Sequence, residues 1–79
     1  MNFKKIILRK LYRRRIIGGR HTAIENLIKG LPKHSRDKAK YIVIELIKEN
    51  LILKKETSYG LQVSLNNEKI KQIKEHINF

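Results

Sequence analysis

The chain has 79 residues, 41% of them hydrophobic, and its 19 lysines and arginines outnumber seven acidic residues to give a formal net charge of +12. This length predicts one domain over residues 1–79 with a small core, and it excludes a second catalytic lobe. The absence of cysteine excludes disulfides, thiolate metal sites and cysteine nucleophiles. The large positive charge indicates a polyanionic partner.

The charge is concentrated in the first half of the chain. Residues 1–40 contain 13 basic and two acidic residues, whereas residues 41–79 contain six and five. We expect the first half to face the polyanion and the second half mainly to complete the fold. The apolar runs, such as residues 6–8, are far too short to cross a bilayer, so we expect a cytoplasmic protein without a membrane partner.

The first predicted element is an amphipathic helix over residues 3–14, in which apolar residues recur at helical spacing between basic ones. Residues 16–17 could form a very short strand, and the glycine pair at 18–19 interrupts the pattern. A second helix follows. Its predicted start is a capping box of Thr22 and Glu25, and we expect Gly30 to end it in the left-handed conformation.

A few residues separate the second helix from the third. Ser35 is the predicted N-cap, the helix covers residues 36–49, and Asn50 is the expected left-handed exit. Apolar residues then alternate at a period of two on both sides of a turn-rich tip at residues 57–60, which predicts a β-hairpin over residues 51–65.

A last amphipathic helix is predicted within residues 66–79. Asn66 is its expected cap, and Ile70, Ile73 and Ile77 are spaced to share one face. With Phe79, these residues could pack on the first helix or against a second copy of the chain.

This element order resembles the winged helix-turn-helix family of DNA-binding domains over residues 3–65. The resemblance implies an α+β fold, with a three-helix core, a C-terminal β-hairpin wing and an appended C-terminal helix that such proteins often use to dimerise. It further implies that helix 36–49 enters the major groove and that hairpin 51–65 lies on the backbone or in the minor groove. The expected function is double-stranded DNA binding, with transcription regulation and nucleoid association. The rival fold is a three-helix bundle with an accessory hairpin.

The candidate DNA-binding residues come from three segments and from the arginine run. They are Arg13, Arg14, Arg15, Arg20, His21, Thr22, Ser35, Arg36, Lys38, Lys40, Tyr41, Lys54, Lys55, Thr57, Ser58 and Tyr59. Residues 20–22 are expected at the start of the second helix, where free amides favour an anion. Residues 13–15 cannot all be neutralised by the few acids, so we expect them at the edge of the footprint. Ile44 lies on the side of the third helix away from its apolar stripe, where it could touch a thymine methyl group, but we expect it to join the core or to contact a partner.

The wing lysines have two interpretations. The resemblance implies phosphate contacts for Lys54 and Lys55, whereas the alternative is that they only protect an edge strand from aggregation. RNA or single-strand binding remains a second hypothesis for the chain, because Tyr12, Tyr41 and Tyr59 could stack on bases. A protein-interaction or dimerisation module, with a homodimer through the last helix, is a third.

Enzymatic activity is not expected. The histidines at 21, 34 and 76 lack metal-ligand spacing, so we expect neither a metal nor a cofactor. The glycine pair at 18–19 lacks the lysine of a phosphate-binding loop, and nothing places serine, histidine and acid as a triad.

Overall fold

The computed structural model describes residues 2–77, which form four α-helices and a three-stranded antiparallel sheet. This confirms the predicted α+β class. The elements in chain order are α1 (Phe3–Arg13), β1 (Thr22–Ala23), α2 (Ile24–Ile28), α3 (Arg36–Lys48), β2 (Ile52–Thr57), β3 (Gly60–Leu65) and α4 (Ile70–His76). Short 3₁₀ turns at Lys33–Ser35 and Asn67–Lys69 precede α3 and α4.

The sheet has the order β1-β3-β2, so the hairpin strand β3 lies in the centre. In the hairpin, Ile52 pairs with Leu65 and Thr57 with Gly60, which confirms the predicted hairpin and its tip. The base of the hairpin joins the buried stripes of the helices in one core, through Ile52 of β2 and Val63 and Leu65 of β3. The completely buried residues of that core include Leu8, Leu11, Ala39, Val43, Leu46, Leu51, Val63, Leu65, Ile73 and Ile77.

Helices α1 and α3 end in the same way, with a residue in the left-handed conformation. Asn50, at φ 64°, follows α3 as predicted, and Arg15, at φ 56°, follows α1. In each case the next amide reaches back five residues, from Leu51 to the Leu46 carbonyl and from Ile16 to the Leu11 carbonyl. These are Schellman motifs, and the two residues that each hydrogen bond joins are buried and apolar.

The predicted start and end of the second helix are wrong. Thr22 and Ala23 are extended, because they pair with Val63 and Gln62 of β3, and α2 begins only at Ile24. Ala23 is the N-cap and has no side chain that could accept a hydrogen bond, so the capping box of Thr22 and Glu25 does not form. Gly30 has no positive φ, since Lys29 closes α2 in the right-handed conformation.

Two smaller expectations also need correction. Residues 16–17 are not a strand, because Ile17 forms a single parallel bridge to Leu65 while the sheet's third strand is β1. Ser35 occupies the N-cap position of α3 but makes no side-chain cap, since the chain enters the helix from a 3₁₀ turn and Ser35 is already helical.

The last helix, α4, belongs to the core of its own chain. Ile73 and Ile77 are completely buried, and Ile70 packs against the core. The apolar face on which the homodimer hypothesis depended is therefore covered within the chain, while Phe79 lies outside the described residues. Within residues 2–77, no helix has the length and apolar composition needed to cross a membrane.

Candidate nucleic-acid interface

The outer face of α3 is the part of this helix that the core does not use. Ala39, Val43 and Leu46 are completely buried, and on the opposite side Tyr41 is 61% and Ile44 46% exposed. Three charged residues share that side, namely Asp37, Lys40 and Lys48. Of the two environments expected for Ile44, the core is wrong, because its position lies about 140° around the helix from Ala39, whereas contact with a partner stays a prediction. An exposed isoleucine beside a tyrosine and lysines is a surface that can contact another molecule.

Three of the predicted α3 residues have other surroundings. The guanidinium of Arg36 donates to the carbonyl oxygens of Lys29 (2.9 Å) and Leu31 (3.3 Å), which fixes the turn between α2 and α3. The ammonium of Lys38 lies 5.8 Å from the centre of the Phe3 ring, on the α1 side of the helix. Ser35 is half-buried in the 3₁₀ turn. Of the predicted α3 set, Lys40 and Tyr41 therefore remain on the outer face.

The turn between α2 and α3 adds two lysines to this surface that were not among the predicted DNA-binding residues. Lys29 and Lys33 line a depression of about 380 Å³ between α2 and α3 together with Lys40, and two acidic residues, Glu25 and Asp37, share it. Lys48, on the outer face, was also unassigned. The place of the turn lysines was predictable from the resemblance, because in a helix-turn-helix the turn lies beside the first half of the second helix.

The hairpin exposes both wing lysines. Lys54 and Lys55 are neighbours in a strand, so they project from opposite faces of the sheet. Lys54 lies 3.9 Å from Glu56, an exposed ion pair that binds the lysine only weakly. Lys54 and Lys55 therefore cannot both contact the same stretch of a nucleic-acid phosphate backbone.

Some residues at the tip of the hairpin hold the turn together by hydrogen bonds, and others are exposed to solvent. The Thr57 hydroxyl donates to the Gly60 carbonyl and accepts from the Tyr59 amide, which closes the turn. Gly60 has φ 113°, a conformation that favours glycine. Ser58 is exposed, and Tyr59 is 92% exposed and is the most prominent side chain of the tip.

Residues 20–22 do not form the expected anion site. Arg20 is exposed and His21 half-buried, and both precede β1 rather than a helix. The Thr22 hydroxyl accepts a hydrogen bond from the Asn26 side chain at 3.2 Å. Helix α2 has only five residues, so its dipole is small and the electrostatic reason for an anion here is lost.

The arginine run lies elsewhere. Arg13 ends α1, Arg14 caps it and Arg15 follows, and all three are exposed. Helix α1 packs with its buried side against α3, and the run follows from the C-terminal end of α1. The expectation that the run lies at the edge of the footprint stays a prediction.

No protein-family model, curated protein or solved structure matches this chain. Within residues 2–77, no three histidine, aspartate or glutamate side chains are grouped so that they could hold a metal ion. The outer face of α3 can thus offer a ligand hydrogen bonds, apolar contact and positive charge.

Proposed function

We propose that this chain binds double-stranded DNA as a winged helix-turn-helix domain, with α3 in the major groove. The observation that carries the proposal is the outer face of α3. Lys40, Tyr41 and Ile44 are exposed there, because the core packs against the opposite side of the helix. The major groove admits an α-helix and is read by the side chains that such a helix presents. The order of elements and the antiparallel hairpin after α3 are further support.

Each group on this side has a chemical role in the proposal. Tyr41 hydrogen-bonds a base edge or a phosphate, and Ile44 packs against a thymine methyl group. Lys40, with Lys29 and Lys33 of the turn, contacts phosphates of the same groove. The hairpin lies along the backbone or in the minor groove, with Lys54 or Lys55 on phosphates and Tyr59 at the tip. Bound at a promoter, such a domain would regulate transcription and associate with the nucleoid.

The direct test is fluorescence anisotropy with a labelled mixed-sequence duplex at low and moderate salt. We expect Lys40→Gln to weaken binding and to reduce the slope of log K against log salt by about 0.9, the value for one phosphate contact. Lys71→Gln is the matched control, since it removes one exposed charge from α4, away from α3. Equal effects of the two substitutions would show that only net charge matters and would overturn the role of α3.

Single-strand or RNA binding is the second candidate, because Tyr41 and Tyr59 are strongly exposed aromatic residues. A base stacked on an aromatic side chain gains about 1–3 kcal/mol, so Tyr59→Ala should then weaken single-strand binding by roughly tenfold or more. Competition of duplex, single strand and structured RNA for the wild-type chain separates the candidates. We expect the wild-type chain to prefer the duplex. We also expect Tyr59→Ala to leave the ranking of the affinities for duplex, single strand and RNA unchanged.

A further inference from the structure

Three cations lie together where α1 meets the end of α2. The ammonium of Lys10 donates to the Leu27 carbonyl at 3.1 Å, and its nitrogen lies 3.5 Å from the place that a Cβ on Gly30 would occupy. Lys29, between these two residues in the chain, is exposed. Arg14 is also exposed and follows Lys10 by four residues, so the two side chains share one side of α1. We call Lys10, Arg14 and Lys29 the junction cluster.

The charges of the junction cluster repel one another. Burial, and then the charges of Arg14 and Lys29, hold the pKa of Lys10 below its usual value. The ion pairs found within residues 2–77 include no member of the cluster. Like charges four residues apart on a helix cost about 0.2–0.5 kcal/mol, so Lys10 and Arg14 slightly oppose folding. A bound anion would relieve this repulsion, because it favours the charged ammonium.

The junction cluster is joined to the candidate nucleic-acid interface through Lys29. The guanidinium of Arg36, in the first turn of α3, donates to the Lys29 carbonyl at 2.9 Å, which fixes this residue relative to α3. Lys29 also lines the depression between α2 and α3 together with Lys33 and Lys40. Basic residues therefore continue from α3 over the turn to α1 as one surface.

We propose that the junction cluster binds phosphates of the same duplex whose major groove α3 enters, so that the contact with the backbone extends from the turn onto α1. This inference rests on the proposed function, because it takes the position of the duplex from α3. It adds Lys10 and Arg14 to the phosphate contacts already proposed for Lys29, Lys33 and Lys40.

The two α1 side chains are suited to phosphate. The Lys10 ammonium has three N–H donors and uses one of them on the Leu27 carbonyl, so two remain for a ligand. The guanidinium of Arg14 is planar and can bind a phosphate with two parallel hydrogen bonds. The rise from Lys10 to Arg14 is about 6 Å, and phosphates of one strand recur about every 3.4 Å along the duplex axis, so the two cations reach separate phosphates.

An acidic protein is a poorer occupant of this surface than a nucleic-acid backbone. A protein partner would need an apolar anchor at the centre of its contact. The depression on α1 that Lys10 and Arg14 line has one apolar residue, Ile6, which is half-buried. The duplex backbone needs no such anchor, because its binding depends on charge.

The test is lysine footprinting, in which acetylation of each lysine is measured by mass spectrometry with and without an excess of a mixed-sequence duplex. We expect the duplex to slow acetylation of Lys10 several-fold, as it slows that of Lys29 and Lys40. In the free chain Lys10 should react readily, since its lowered pKa leaves more of the neutral amine. Lys71, exposed on α4, is the internal control and should react equally fast in both samples.

Arg14 is tested by substitution, because acetylation does not modify arginine. In anisotropy with the same duplex, Arg14→Gln should reduce the slope of log K against log salt by about 0.9, the value for one phosphate contact. Lys71→Gln should leave the slope near the wild-type value. Urea unfolding should show little change for Arg14→Gln, because the lost repulsion with Lys10 and the lost attraction to the end of the α1 dipole offset each other.

The outcomes separate this inference from the proposed function. Protection of Lys33 and Lys40 without Lys10 would show that the duplex stops at the turn, which overturns the inference and leaves the proposed function standing. Protection of Lys10 without Lys40, or of no lysine at all, would overturn both.

Three further results would count against the junction cluster alone. Inorganic phosphate that protects Lys10 as strongly as the duplex does would show a site for a small anion. Equal protection of Lys71 would show only general screening by the duplex. Equal salt slopes for Arg14→Gln and Lys71→Gln would remove Arg14 from the contact. Each of these results would overturn the inference.

Discussion

Asn66 is the residue that joins the end of the hairpin to the rest of the molecule. Its side-chain amide donates to the Asn50 carbonyl at 2.8 Å, its side-chain oxygen accepts from the Glu68 amide at 3.0 Å, and it is 9% exposed. The predicted role of Asn66 as the cap of the last helix needs correction, because Asn66 caps the 3₁₀ turn Asn67–Lys69 and the N-cap of α4 is Lys69. The additional bond to Asn50 links the exit of α3 to the start of the last 3₁₀ turn.

Replacing Asn66 with alanine should therefore destabilise the fold. The substitution leaves the Asn50 carbonyl and the Glu68 amide without partners in a poorly hydrated place, a loss of about 1–3 kcal/mol. Urea unfolding of the variant measures the change. Asn67→Ala, at the exposed neighbouring position, is the control and should cost much less. Equal stability of the two variants would contradict the role of Asn66.

Individual side chains of the candidate site were predicted less well than the helix that carries them. The helical period correctly separates Tyr41 and Ile44 from the buried stripe of α3. It cannot predict that Arg36 bonds the carbonyls of the preceding turn or that Lys38 lies over Phe3, because both contacts come from elements that pack only in the folded chain. Tertiary contacts of this kind decide which cations remain free for a ligand.

At the scale of elements, the ends of α1 and α3 differ in how well their residues suit the left-handed conformation. Asn50 tolerates it, because asparagine is among the few non-glycine residues that visit this region routinely. Arg15 does not, because an L-residue with a long side chain pays about 1–2 kcal/mol for the left-handed conformation. Arg15 thus keeps an unfavourable backbone conformation, and its side chain adds one more positive charge just beyond the end of α1.

Arg15→Gly should stabilise the chain. Relief of the left-handed strain gains about 1–2 kcal/mol, and the greater freedom of glycine in the unfolded chain removes about 0.5–1 kcal/mol of that. Thermal or urea unfolding should show a small net gain. Asn50→Gly serves as comparison and should gain less, so a larger gain for Asn50→Gly would contradict this account of the two helix ends.

Long periodic elements were predictable, whereas short ones were not. The bounds of α1, α3 and the hairpin agree with the predicted ones to about a residue, because many buried positions define their periods. The segment around Thr22 has too few residues for a period, and its spacing to Glu25 imitates a helix start. Pairing with β3, which is some 40 residues away in the chain, makes it a strand instead.

At the scale of the whole molecule, the positive charge of residues 1–40 is distributed over α1, the turn and α3. The basic residues of α1 and of the turn adjoin at one point, because the ammonium of Lys10 donates to the Leu27 carbonyl and the charge of Lys29 contributes to the lowered pKa of Lys10.

Amide chemical-shift mapping of the ¹⁵N-labelled chain, on addition of a short duplex, tests the central proposal most directly. The protein is kept in excess, so that the tighter surface is filled first. We expect the shifts to cluster at the turn around Lys29 and Lys33, along residues 40–48 and at the hairpin residues 54–59. Shifts confined to α1 and the arginines at 13–15, with none along α3, would contradict the account.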